Sequence, residues 1–173
     1  MEPIPDQPPG PVDFDLANPG ARLGARFIDV LIGFSVFLTT LVIVMLSYDV
    51  ELTDDPDTLT IPDSAAWILR WVPILIWGMY EVLLVARNGQ TLGKMVLKIR
   101  VISARGEDLV PTKAAGVRWL VLAIPPVLIP DLLFGLGISF LVGMWFVIDA
   151  NRQGLHDKAA GTYVVRVSPA VVE

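Results

Sequence analysis

The chain has 173 residues and a formal net charge of −5. Its 54% hydrophobic and 18% charged content, with a mean hydropathy of +0.62, is too apolar for an ordinary soluble domain, which is nearer half apolar and a quarter charged. The absence of cysteine excludes a disulfide framework, a thiolate nucleophile and cysteine metal sites, and a single histidine excludes a histidine-rich metal cage.

Residues 1–20 carry six prolines, four acids and no lysine or arginine, and read as a disordered tail. They lack the basic start and short apolar run of a secretory signal, so the first hydrophobic stretch is expected to stay as an anchor. That stretch, Phe27 to Leu46, is twenty residues with one charge, which matches a hydrocarbon layer of roughly 30 Å. A second span is expected over 65–86, with Arg70 and Glu81 inside it. The third apolar region, Val117 to Ile148, is too long for one span and is interrupted by Pro125, Pro126 and Pro130, with Asp131 directly after. It is expected to form two short helices over about 115–130 and 132–149, broken by proline, the first of them a candidate re-entrant limb.

Charge fixes a direction. Arg22 and Arg26 precede the first span, and the Tyr48–Ser64 connection holds six acids and no base. The connection after the second span carries Arg87, Lys94, Lys98, Arg100, Arg105, Lys113 and Arg118, and the C-terminal region adds Arg152, Lys158 and Arg166. Basic loops stay in the cytoplasm, so both termini are expected there, with the acidic connection outside. The fold class is therefore an all-α integral membrane protein with about four hydrophobic helices.

A small cytoplasmic β-hairpin or sheet is expected beside the helices. Asn88-Gly89 is a turn signal, and Leu97, Ile99 and Val101 alternate with Lys98 and Arg100 as in a strand. Leu109-Val110 is one candidate return strand and Gly161–Val167 another. Thr112 is a candidate N-cap, as is Asp157 for a short helix from Lys158. Gly89 to Lys94 is not a phosphate loop: the glycine spacing is one short, and Met95 stands where Ser or Thr should bind magnesium.

Three motifs, ARLGARFIDVLI, NGQTLGKMVLKIRVI and FVIDANRQGLHDKAAGTYVV, resemble in order and spacing the RDD family of membrane proteins, named for one arginine and two aspartates. The resemblance covers 21–167, leaving 168–173 as a tail. The family arginine maps to Arg22, with Arg26 as the alternative. The first aspartate is Asp29, and the second is Asp157, with Asp149 as its rival. The resemblance implies a bacterial plasma-membrane protein and a role in transport, sodium–proton exchange being suggested for some members.

Arg22, Arg26 and Asp29 are spaced four and three apart and share a helix face, which continues through Gly33, Val36 and Thr40. Glu81 falls at a similar depth on the second span. Charges at such depth cost a few kcal/mol unless they find partners. One reading makes Asp29 and Glu81 a cation or proton site. The other is structural, with Asp29 paired to Arg22 or Arg26 and Glu81 to Arg87 or another cytoplasmic base. No cofactor, metal, nucleic acid or enzyme activity is expected; anionic lipid and a second copy or another membrane protein are the expected partners. A non-catalytic membrane scaffold is the alternative function.

Overall fold

The computed structural model describes residues 15–48, 51–52, 59–104, 109–129 and 132–167. Most of the expected Pro-rich tail, the turn around Arg105–Asp108, the Pro130–Asp131 break and the 168–173 tail lie outside those residues.

Helix α1 runs over Pro19–Ser47. Its start is set by Asn18, whose side-chain oxygen accepts from the Ala21 amide at 2.6 Å, and by Pro19 at the first helical position. The helix thus begins well before its apolar stretch and carries Arg22 and Arg26 within it. A two-residue antiparallel pair, β1 (Glu51–Leu52) and β2 (Leu59–Thr60), links it to α2 (Asp63–Asn88). α2 ends on Gly89, which adopts the left-handed conformation (φ 69°) that closes a helix, as the Asn88-Gly89 signal predicts. A short helix follows, α3 (Leu92–Val96), then β3 (Ile99–Ser103), α4 (Thr112–Leu128), α5 (Leu132–Met144) with a 3₁₀ turn over Trp145–Val147, α6 (Leu155–Ala160) and β4 (Thr162–Arg166).

The sheet is β3 against β4, antiparallel, with Val101 opposite Val164. Leu109-Val110 forms no strand, in correction of the local hairpin; Val110 is instead buried in the core, while the β4 candidate supplies the pairing. Lys98, with φ of 52°, turns the chain from α3 into β3, so the alternation becomes strand only from Ile99. Thr112 is likewise not a cap: Pro111 holds that position.

The core lies at one end of the molecule. Ala17, Ala25, Val85, Ile99, Val101, Val110, Ala115 and Val164 pack where the start of α1, the end of α2 and the start of α4 meet the sheet. Beyond it the helices turn their apolar side chains outward: Phe27, Leu31, Phe34, Leu38 and Val42 of α1 are all exposed. Only 11% of the most apolar stretch of α1 and 17% of that of α2 is buried, the reverse of a soluble core helix. Both are long and apolar enough to cross a bilayer. Gly33 holds the two close, for the Trp77 ring occupies the space a Cβ would take. Gly33, on the face of α1 that carries Arg22, Arg26 and Asp29, thus meets α2.

α4 runs through Pro125 and Pro126 to Leu128, and α5 starts at Leu132, in keeping with the two short helices expected over about 115–130 and 132–149. Proline at 126 removes the donor that would satisfy the Leu122 carbonyl. The Ser139 hydroxyl of α5 donates to that carbonyl at 2.7 Å instead. Such side-chain repair is how apolar helices tolerate internal proline. The close approach needs Gly135, where a Cβ would lie 2.7 Å from Pro126 Cα and 2.9 Å from the Pro125 carbonyl oxygen. Gly135→Ala is expected to cost about 1–3 kcal/mol by overpacking. Thermal unfolding in detergent measures it; a Tm equal to that of the unmodified protein would refute the close-packing account.

Candidate functional site

Two groups of buried charge meet a cavity of about 50 Å³ at the sheet end, between α1, α2, α4 and the end of α5. That is room for a few water molecules.

The first group centres on Asp157, which is completely buried on α6. Its carboxylate accepts from the Arg22 guanidinium of α1, from the Arg118 guanidinium of α4, and from the Gly154 amide at 2.9 Å. Arg118 also donates to the Thr162 hydroxyl at 2.6 Å, and Arg22 to the Arg152 carbonyl. The Phe146 ring lies 4.5 Å from the Arg22 guanidinium. Burial alone would disfavour the ionised carboxylate, but Arg118, Arg22 and the Gly154 amide outweigh it and hold Asp157 well below the usual carboxylate range. Asp157 is not the N-cap of a helix from Lys158; Gly154 is, and Asp157 is the third helical residue reaching back to the cap amide.

The second group joins α1, α2 and α3. The Asp29 carboxylate accepts from the Thr91 hydroxyl at 2.6 Å, the Tyr80 hydroxyl at 2.8 Å and the Gly93 amide at 2.9 Å. The Tyr80 oxygen in turn accepts from the Leu92 amide at 2.9 Å, so the first amides of α3 are satisfied by α1 and α2 side chains. Gly93 lies so close to α1 that a Cβ there would run into the Ala25 carbonyl oxygen. The Lys94 ammonium is 4.0 Å from Asp29 and donates to Thr91 at 3.1 Å. Burial pushes Lys94 below the usual lysine range, against the pull of Glu81 and Asp29. Glu81, 2% exposed, has its Oε2 3.6 Å from the Arg26 guanidinium, and that oxygen has no hydrogen-bond partner. Two further buried cavity residues, Arg118 and His156, have an unpartnered atom each, Nε and Nδ1.

The shared face of Arg22, Arg26 and Asp29 is therefore real, but the pairings differ from the simplest expectation. Asp29 is paired with neither arginine: Arg22 takes Asp157, Arg26 takes Glu81, and Asp29 holds the α3 turn. Glu81 meets Arg26, which is the other base that the structural reading allowed, and not Arg87, which is exposed. Asp149 stands outside the cavity, ion-paired to Lys158 and accepting from the Gln153 and Asn151 amides at 3.0 and 3.1 Å. These bonds, that to Lys158 first, hold it below the ordinary carboxylate value. Arg118, Lys94, Tyr80 and Thr91 complete the site without having been singled out in sequence. Arg118 carried a signal: it lies six residues into α4, too deep to be a mere loop charge. No group of three or more histidine and carboxylate side chains is arranged for a metal among the described residues.

No curated protein and no solved structure matches the chain. The family model of the RDD family matches residues 16–161, a stretch that holds Arg22, Asp29 and Asp157 together, and the chain belongs to that family.

Proposed function

We propose that this membrane protein moves a small ion across a bacterial plasma membrane, by cation or proton exchange, with the charged cavity as its binding site and Glu81 as the exchanging carboxylate. The observation that carries the reading is the Oε2 of Glu81: a buried carboxylate oxygen with no hydrogen-bond partner, 3.6 Å from the Arg26 guanidinium, on the wall of a cavity with room for water or an ion. A buried acceptor without a partner is costly, and functional sites are where such groups are kept. Asp29, by contrast, has three hydrogen bonds and serves to position α3. The basic residues cluster at the sheet end, with exposed Leu92, Val96 and Leu109 beside Arg87, Lys98 and Lys113. This supports a cytoplasmic sheet end, with both termini inside, lying against anionic headgroups. The protein is read as non-catalytic, and as working in an oligomer because four helices, two of them short, enclose little interior.

In reconstituted vesicles the unmodified protein should exchange sodium or potassium for protons. Glu81→Gln should reduce that flux at least tenfold while leaving insertion intact, and Asp29→Asn should lower the yield of folded protein instead. Equal flux from the unmodified protein and Glu81→Gln would remove Glu81 from the role. The second reading, a membrane scaffold, is favoured by the Arg22–Asp157–Arg118 tie, which binds α1, α4 and α6 with no ligand needed. It predicts no flux and a consistent membrane partner on purification.

A further inference from the structure

The apolar helices do not end at one height. Ala25, Val85 and Ala115 share the packed core, so they mark a common level on α1, α2 and α4. From that level α1 continues about 33 Å to Ser47, and α2 reaches back about 33 Å to Asp63, at 1.5 Å per residue. On the same rise α4 stops after about 20 Å, at Leu128. α2 confirms that position independently: Arg70, about 22 Å from Val85 on the same rise, donates through one nitrogen to the carbonyls of Pro126, Val127 and Ile129 at 2.9, 2.9 and 3.1 Å. Arg70 thus caps the end of α4.

If α1 and α2 cross a hydrocarbon layer of roughly 30 Å from that level, the end of α4 and the Arg70 charge lie about 8–10 Å short of its far boundary. Irregular backbone and a guanidinium at that depth are tolerated only where protein or water surrounds them. α1 and α2 supply a wall on one side. We infer that the step above α4 is a water-filled recess, open on the side of the membrane away from the sheet, floored by Arg70 and the Pro126–Ile129 carbonyls and admitting water and small hydrated ions. The inference rests on the multi-pass reading above and gives its path a second, outer half.

The natural chain contains no cysteine, so single cysteines report directly. Leu128→Cys and Ile129→Cys probe the floor at two positions, either of which suffices if the other fails to insert. Leu38→Cys lies at the same level on the outward, exposed side of α1. Sealed vesicles of each orientation are treated with a charged, membrane-impermeant thiol reagent, and labelling is normalised to total thiol after denaturation. The floor cysteines should label from the sheet-distal side at least tenfold faster than Leu38→Cys. Rates equal to that of Leu38→Cys, whether both slow or both fast, overturn the recess. Fast floor labelling from the cytoplasmic side only would keep the recess and overturn the cytoplasmic placement of the sheet end, so the two failures are distinguishable.

Discussion

Asp157→Asn is expected to destabilise the protein by about 3–5 kcal/mol, the range found when one partner of a buried ion cluster is removed. The loss is large because two guanidiniums, those of Arg22 and Arg118, are buried against this one carboxylate and would be left facing each other. Asparagine retains the shape but offers one neutral oxygen and a donor pointed at donors. Thermal unfolding in detergent, with the yield of inserted protein, measures the effect; a shift worth less than about 1 kcal/mol would show that the cluster does not hold α1, α4 and α6 together. The pH dependence has a defined sign. The folded carboxyl is depressed, so its contribution is complete above the unfolded value near 4 and is lost only as pH falls below that. Asp157 therefore adds no slope to the stability curve between about pH 8 and 5.

The same cluster shows what local pattern reveals and what it does not. Periods of three and four put Arg22, Arg26 and Asp29 on one face of α1, and opposed helix directions put Glu81 at the depth of Asp29; both expectations hold because they follow from helix geometry alone. Which acid meets which base is a matter of elements distant in sequence. Arg22 and Asp157 are 135 residues apart, and Asp29 lies 64 residues from Gly93, so no local spacing assigns them. α3 is five residues long, below the length at which a periodic pattern can be read, and it exists because Asp29 and Tyr80 satisfy its first amides. How α4 holds Pro125 and Pro126 inside it is hidden from the local pattern for a related reason. The two prolines remove helix donors, and the rescue comes from Ser139 of another helix and from the space left by Gly135. The two membrane-length stretches in α1 and α2, by contrast, are legible, since length and apolarity are properties of one segment.

The second large effect lies at His156, one residue before the cluster's carboxylate. Its ring is buried, with Nε2 3.5 Å from Asp157 Oδ1 and Nδ1 without a partner. Burial pushes its pKa down to about 3; attraction to Asp157 opposes this but is already shared with two arginines, while Arg118 and Arg26 repel a charged ring and Glu81 pulls weakly the other way. An unfolded histidine titrates near 6.5, so the unfolded chain binds a proton between about pH 6.5 and 3 that the folded protein refuses. The stabilising difference is complete above about 6.5 and erodes as pH falls, by up to about 1.4 kcal/mol per pH unit. Between pH 6.5 and 4.5 that is a loss of about 2–3 kcal/mol, set against no change from Asp157 until lower pH. Unfolding midpoints recorded across this window should fall steeply for the unmodified protein and much less for His156→Gln, whose amide cannot titrate. A profile for the unmodified protein as flat as that of His156→Gln would mean that the ring is already charged in the fold, stabilised by Asp157 and Glu81. The cavity would then carry one more positive charge facing Glu81 than the neutral ring gives it.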